Sequence, residues 1–387
     1  KVYASPIQYL GREARDMKYL YNWNAPTRKS VHEPDTYYHC AQLVLRTHDK
    51  GVNWEEASPD LTRDIDEKQG NGGAPYTNEA VGAENYGTIS YMIESPHEAG
   101  VFYTGSDDGL VHITKDNMET WQNITPKNLG ETLVNAIEIS PHDPAIVYIA
   151  TTKYKFNDQT PALYKSTDFG KTWANISEGI PNGSFTRVVR EDKDRKNLLY
   201  AGTERGVYLS WNGGKSWEPF QLNLPTAPIS DLKVHRGDLI VATSGRSFWI
   251  LDDISVLAQK NSDKGIKIYK PDDALNGSWG SPMSGNIDKC GGRTDFVAGN
   301  PAFGMVIYYE LPKLGDSTAI FMEIKDDRPR IVSFFAKRAR GAMARHIIEH
   351  RVTTLDGVKD FASGGYAYDA DLSDGDKLVF LRDYPVA

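Results

Sequence analysis

Between residue 30 and residue 260 the apolar positions come in short runs, β-branched or aromatic in character, each closed by Gly, Pro, Asp or Asn. Such runs predict strands joined by tight turns. The runs recur in matched order. "SPHEAGVFYTGSDDGLVHIT" begins at Ser95, "SPHDPAIVYIATTKY" at Ser140, "REDKDRKNLLYAGTERGVYLS" at Arg190 and "VHRGDLIVATSGRSFWILDD" at Val234. A more diverged copy, "VHEPDTYYHCAQLVLRT", begins at Val31. Each reads as a turn, a strand, a Gly-rich hairpin, a second strand and a turn containing Asp or Asn.

The closing turn is itself a repeat. "STDFGKTW" spans Ser166 to Trp173, with Asp168 and Gly170 at the second and fourth offsets. "THDKGVNW" carries Thr47, Asp49, Gly51 and Trp54, and "TKDNMETW" carries Thr114, Asp116 and Trp121 with Met118 in the Gly position. "SWNGGKSW" carries Ser210, Gly214 and Trp217 with Asn212 in the Asp position. The tryptophans stand 67, 52 and 44 residues apart. The hydroxyl and the carboxylate can accept from backbone N–H groups across the turn. Gly admits positive φ, and Trp can pack its large face on a neighbouring sheet. Four Asp or Asn residues distributed over successive units are spread apart rather than gathered in a pocket, so the box reads as structural.

Four short strands per unit of about 40–50 residues is a propeller pattern. The expected innermost strands fall near Met17–Trp23, Gly87–Ile93, Thr132–Ile139, Phe185–Arg190 and Ile229–Val234. The predicted fold class is all-β: a propeller of about five to six blades, either a complete small ring or part of a larger one, followed by a small antiparallel β-sandwich. Residues 1–260 are the blades, 261–303 a strand and a Gly/Ser/Pro-rich linker, and 304–387 the sandwich, whose expected strands include "GMVIYYELP", "STAIFMEIKD", "RIVSFF" and "KLVFLRD".

The boxes resemble the Asp-box (bacterial neuraminidase, BNR) repeat of sialidases, sortilin-type receptors and two-propeller xyloglucanases. "EEASPDLTRD", "YTGSDDGLVHIT" and "LIVATSGRSFWILDD" are similar to a group of bacterial secreted proteins labelled glycosyl hydrolase with BNR/sortilin-like repeats. The resemblance covers roughly residues 1–260 and continues more weakly into 300–312. It implies further propeller sequence ahead of Lys1, and a secreted, periplasmic or cell-surface location.

If the boxes lie on one face, the hairpins between second and third strands lie on the other. The candidate catalytic carboxylates are there: Asp107 and Asp108 in "SDDG", Glu204 in "TERG", and Asp231 on an inner strand. Candidate ligand-binding residues are Tyr86, Asn135, Arg187, Arg205 and Arg246. As isolated features these are ordinary turn residues. As a set from different blades they can bind a glycan or a peptide, or pair carboxylates for glycoside hydrolysis. No sialidase Arg-Ile-Pro string and no arginine triad with a Tyr nucleophile is found. The expected function is therefore binding of a glycan, a peptide or another chain that completes the propeller, with glycoside hydrolysis as the alternative. The insertion from Leu61 to Tyr86 exceeds an ordinary connection and is expected either to arch over the central channel or to contact a neighbouring chain.

Composition narrows the partners. A formal net charge of −8 and a pI near 5.7 disfavour nucleic acid. No apolar run reaches the ~20 residues of a membrane span. The chain opens without Met or a leader, the reading expected of a mature or excised fragment. Cys40 and Cys290 allow one long-range disulfide. "HIIEH" (His346 to His350) matches an inverted zinc-protease pattern, but no Glu follows Glu349, and the stretch reads as chance or an alternating strand. "DADLSDGD" (Asp369 to Asp376) lacks the Gly and Glu of a calcium loop and reads as a polar turn. "AKRARGAMAR" reads as a solvated helical face or loop. No metal and no cofactor are expected.

Overall fold

The computed structural model describes residues 4–5, 10–70, 76, 83–260, 265–271, 305–312, 333–374 and 377–382. The chain divides into two compact units, Lys1–Pro312 and Lys313–Ala387.

Among the described residues the first unit holds five antiparallel meanders, four of four strands and one of three. They are β1–β4 (Thr27–Lys29, Tyr37–Cys40, Val44–Thr47, Glu55–Glu56), β5–β8 (Ile89–Glu94, Phe102–Ser106, Val111–Thr114, Gln122–Asn123) and β9–β12 (Leu133–Ile139, Val147–Lys153, Asp158–Ser166, Ala174–Asn175). The fourth is β13–β16 (Thr186–Glu191, Leu199–Thr203, Val207–Ser210, Glu218–Pro219) and the fifth β17–β19 (Ile229–His235, Asp238–Thr243, Phe248–Leu251). Within each, chain order is spatial order. The first strands of the later meanders lie side by side, β5 against β9, β9 against β13 and β13 against β17. These are propeller blades with their first strands innermost.

Strand β6 is buried along its length, as is β14, and β10 is buried up to its last residue. This is why they read as unbroken apolar or small-residue runs rather than as alternation. A Cβ on Gly105 would fall 2.4 Å from Val134 Cγ1, and one on Gly202 2.6 Å from Ile229 Cγ2. The glycines of "YTGS" and "YAGT" therefore let the next blade's inner strand approach.

Four inner strands share an irregularity. One residue is skipped in the pairing of β5 (Ser90), β9 (Asn135), β13 (Arg187) and β17 (Ser230). Each is a bulge, which re-aims side chains and sharpens twist. Ser90 Oγ donates to Val134 O at 2.7 Å and Asn135 Nδ2 to Thr186 O at 3.4 Å, both crossing to the next blade.

The first blade departs from expectation. Met17–Trp23 forms no strand, and the inner strand is Thr27–Lys29. Met17, Tyr19 and Leu20 are apolar because they are buried, and their backbone is satisfied by a side chain rather than a ladder. Leu20 N donates to Gln42 Oε1 at 2.9 Å, while Gln42 Nε2 donates to Lys18 O at 3.0 Å.

The boxes are turn clamps. In the third blade Ser166 Oγ donates to Asp168 Oδ1 and accepts from Gly170 N, both at 2.8 Å. Asp168 Oδ1 also accepts from Thr172 N (2.9 Å) and Oδ2 from Thr172 Oγ1 (2.6 Å). Thr47/Asp49/Asn53, Thr114/Asp116/Thr120 and Ser210/Asn212/Ser216 repeat the pattern. The backbone N–H of Asn53 and then its side-chain amide hold the Asp49 carboxyl down at about 2, and the Thr172 hydroxyl and then its backbone N–H do the same for Asp168.

Where a β-sandwich was expected, the described residues of the second unit form helix and hairpin. Helix α2 (Ser333–Glu349) and helix α3 (Leu355–Lys359) precede one hairpin, β22 (Tyr366–Asp374) with β23 (Lys377–Arg382). "SFFAKRARGAMARHIIE" is rich in Ala, Arg, Met and Lys, which lose little on entering a helix, so the strand read into "RIVSFF" gives way to a continuous helical run. Lys377–Arg382 of "KLVFLRD" is a strand as expected, while Asp369–Asp374 of "DADLSDGD" continues β22, the last two residues of that stretch lying outside the described residues. Buried Phe361 packs against His346, Tyr366 and Phe380 at ring-centroid distances of 5.6, 6.4 and 5.8 Å. "KGIKIYK" supplies the two-residue strand β20 (Lys267–Ile268), paired with β21 (Tyr309–Glu310) of "GMVIYYELP". "STAIFMEIKD" and Cys290 lie outside the described residues, and with Cys290 the possible disulfide; Cys40 is buried, its thiol directed at Met92 Sδ, 3.4 Å away.

Candidate functional site on the hairpin end of the blades

The hairpins between second and third strands fold against the starts of the inner strands. Asp107 N donates to Thr88 O (2.9 Å), Glu204 N to Phe185 O (3.0 Å) and Ser244 N to Pro228 O (2.8 Å). The box turns instead rest on the opposite hairpins, Asn117 N on Gly100 O and Phe169 N on Ala145 O, both at 3.0 Å. The two ends of each blade are therefore distinct, and the candidate residues collect at the first.

Asp107 is only 6% exposed. Its Oδ1 accepts from Gly87 N (3.0 Å) and Thr88 N (2.8 Å), which staples the hairpin to the start of β5. Burial raises its carboxyl to about 7 against the pull of those amides. Asp108 is buried as well, and burial raises it too. Its Oδ2 accepts from Arg63 N at 2.7 Å, its Oδ1 from the Ser106 hydroxyl, and Arg63 Nε donates to its carbonyl at 2.8 Å. The long insertion is thus tied down beside the second blade. Tyr86, at its end, donates to Glu131 Oε2 at 2.9 Å, and Lys68 pairs with the same carboxylate.

Arg187, the bulged residue of β13, binds Glu204 through Nε and Nη2 at 2.9 and 2.6 Å and lies 5.1 Å from the Phe185 ring centroid. Arg205 and Arg246 are exposed. Asp231 binds Arg190 Nη2 at 2.7 Å. The structure therefore gives Asp107 and Asp108 to the second blade's own turn, and holds Glu204 and Asp231 in ion pairs with two different arginines.

Residues 42–204 match the family model of Sortilin-Vps10 (sortilin, neurotensin receptor 3). The chain's repeats are BNR-type propeller blades. Solved structures of similar form include the GH74 xyloglucanase from Xanthomonas campestris, with a TM-score of 0.46, 16% identity, and 69% of this chain and 42% of that one covered. Another is YCF48 bound to D1 peptide, with a TM-score of 0.37, 13% identity, and 61% and 67% covered.

The BNR-type unit is followed by sequence of another kind. Residues 307–372 match the model of Peroxide stress protein YaaA. A UPF0246 protein of Ruegeria pomeroyi is 48% identical over 113 residues, covering 27% of this chain and 43% of that protein. One from Roseobacter denitrificans is 53% identical over 77 residues, covering 19% and 30%. The chain spans less than half the length of these curated relatives. "HIIEH" sits in this part, on α2 and not on a strand, with the His346 and His350 rings 4.6 Å apart. No helix among the described residues is long and apolar enough to cross a membrane.

Two features of the BNR-type propeller escaped the sequence. The first is aromatic. The Tyr76 ring stands 4.7 Å from Tyr86 and 6.3 Å from Phe156, and Tyr154 stacks on buried Phe185 at 5.5 Å and 14°. Tyr154 and Phe156, from the 3-10 turn Tyr154–Phe156, are 43% and 38% exposed. A polar, open groove lined by Asn157, Asp158, Gln159, Thr160, Asn182 and Gly183 adjoins that turn. The second is Arg190, buried where several inner strands meet. It donates to Leu232 O (2.8 Å), Tyr91 Oη (3.2 Å) and Glu138 Oε2 (3.5 Å) in addition to Asp231. The aromatic signal was present in "TTKYKF" and "APYTN", but only the fold brings the two stretches together.

Proposed function

We propose that the hairpin end of the propeller is a glycan-binding surface. The observation that carries this reading is the exposed aromatic pair Tyr154 and Phe156 beside a groove of side-chain amides. Sugar rings present apolar C–H faces and a rim of hydroxyls. An aromatic face takes the former, and Asn and Gln, which both donate and accept, take the latter. Tyr154 is held by its stack on Phe185, so little ordering remains to be done on binding. The reading goes with a secreted, periplasmic or cell-surface location.

Hydrolysis is the weaker reading. Asp107 has the raised carboxyl of a general acid, yet it is buried and accepts two backbone amides, and its candidate partners Glu204 and Asp231 are engaged by Arg187 and Arg190.

A glycan array followed by calorimetry on the best ligand tests the proposal. Tyr154→Ala and Phe156→Ala should each weaken binding by roughly tenfold, about 1–1.5 kcal/mol, with melting curves run alongside to show that each variant remains folded at the temperature of the titration. An array without binders, or binding indifferent to both substitutions, sinks it. Turnover lost in Asp107→Asn would move the assignment to an enzyme.

A further inference from the structure

Three blade junctions are closed in the same way. Trp121 donates Nε1–H to Ala57 O at 3.5 Å, Trp173 to Ile124 O at 2.7 Å and Trp217 to Ile176 O at 2.6 Å. Each acceptor follows the two-residue outer strand of the preceding blade. Each also donates its own N–H, at 2.8 Å, to the third-strand residue three positions before that blade's box: Ala57 to Val44, Ile124 to Val111 and Ile176 to Leu163. Phe220 holds the same position in the fourth blade, after Glu218–Pro219, with its N–H on Val207 O at 2.8 Å.

At this fourth junction no tryptophan arrives among the described residues. The fifth blade starts its turn as the others do, Ile254 N donating to Gly237 O at 2.7 Å as Gly213 N does to Asn197 O at 2.8 Å. At the box offsets, however, stand Leu251, Asp253, Ser255 and Ala258. The chain passes into helix α1 (Ser255–Gln259) instead of returning as a fourth strand. Arg195 draws the end of that helix toward the fourth blade's box, its Nη1 donating to Leu257 O and Lys260 O at 2.9 and 2.6 Å and its guanidinium 5.0 Å from the Trp211 ring. What remains is an apolar groove lined by Phe220, Leu222, Leu224, Leu239, Val241 and Trp249. It is bordered by the edge strand β19, whose Phe248 and Ile250 are 78% and 59% exposed.

We propose that this groove is a tryptophan socket for a β-strand supplied by a partner polypeptide, laid antiparallel on β19. The occupied junctions specify the partner's chemistry. "WEEAS" (Trp54–Ser58), "WQNIT" (Trp121–Thr125) and "WANIS" (Trp173–Ser177) share Trp, two free positions, an apolar residue and a hydroxyl. That hydroxyl accepts from the N–H of Val44, Val111 or Leu163 at 2.8, 2.9 and 2.8 Å. The equivalent of those three residues in the fifth blade is Phe248. In the fourth blade the two residues after Trp217 pair with Leu209 and Tyr208, so a partner's two residues after its Trp pair with Ile250 and Trp249. The indole donates to Phe220 O, main-chain bonds supply affinity, and the Trp pocket supplies selection.

The probe is a labelled synthetic peptide of sequence GKTWANISEG, residues 170–179, titrated into the full chain. Saturable binding is expected, weakened about thirtyfold when the peptide's Trp is Ala, as for truncation of a buried interface tryptophan. Leu222→Glu should weaken it comparably. Leu222 is 66% exposed, so the melting curve, run alongside, should not move. The proposal is overturned by absence of binding, or by binding that ignores the peptide's Trp or Leu222→Glu. Trp279 is the one tryptophan outside the described residues, and binding seen only in a Trp279→Ala background also overturns the proposal, since the socket would then be the chain's own.

Discussion

The fourth box position shows how a single residue is set by its neighbour across a blade junction. A Cβ on Gly170 would lie 2.4 Å from Ile124 Cδ1, and one on Gly214 2.6 Å from Ile176 Cδ1. Met118 occupies that position in the second blade at φ +75°, with its side chain buried. It fits because the residue facing it from the preceding blade is Ala57 rather than Ile. The substitution of Met for Gly, an anomaly in the sequence, is therefore one half of a matched pair. Met118→Gly removes a buried side chain worth about 2–3 kcal/mol and relieves about 1 kcal/mol of backbone strain, for a net loss of about 1–2 kcal/mol. Ala57→Ile overpacks against Met118 at a cost of about 1–3 kcal/mol. The A57I/M118G double variant recreates the Ile–Gly pair of the next two junctions, and its loss should fall short of the sum by about 1–2 kcal/mol. Urea unfolding of the four proteins measures this, and strict additivity would refute the matched-pair account.

At the scale of the element, a repeated histidine turns strand ends into joints between blades. His32 Nε2 lies 2.8 Å from Ser95 O, His97 Nε2 2.8 Å from Ser140 O, and His142 Nε2 2.8 Å from Asp192 O. A carbonyl only accepts, so Nε2 carries the proton in each. His97→Ala and His142→Ala should each cost about 0.5–1.5 kcal/mol. Because they close different junctions, the double loss should match the sum within about 0.5 kcal/mol, read again from urea unfolding. The strings "VHEPD", "SPHEAG" and "SPHDPA" displayed the repeat openly, and what they lacked was a partner, which lies one blade further on. Inner strands were legible in four blades because turn residues bracket them. Thr27–Lys29 was not, since three exposed polar residues carry no period-two signal. The start of helix α2 was hidden for the opposite reason: Ser333, Phe334 and Phe335 close an apolar string that imitates a strand, until the helix-forming run from Ala336 is read as continuous with those three.

At the scale of the molecule, the propeller axis is held by charge. Arg190 joins residues of the second, third and fifth blades to the fourth, and Arg28 of the first lies 5.2 Å from the centre of the same Tyr91 ring, its Nε donating to Met92 O at 3.0 Å. None of this could be read in one dimension, because the partners lie 41 to 99 residues from Arg190 and each bulge shifts the strand period by one. Burial raises the Glu138 carboxyl to about 7, with Arg190 and Lys233 pulling it down and Glu191 pushing it up. A folded value above the unfolded one, about 4.3, means that the contribution to stability is complete below pH ~4 and is lost as pH rises through about 7. Arg190→Met removes the opposing cation, so Glu138 moves higher still. The variant should then lose about 3–5 kcal/mol at pH 8, where a buried carboxylate is left unpaired, and clearly less at pH 5, where Glu138 takes a proton. Asp107, also raised to about 7, gives both proteins the same background slope, which the difference between them cancels. In the R190M/E138Q double variant the excess slope between pH 5 and 8 should vanish. Denaturant melts across that range decide the matter: a loss in Arg190→Met that is equal at pH 5 and pH 8 would show that Glu138 does not depend on Arg190 for its charge.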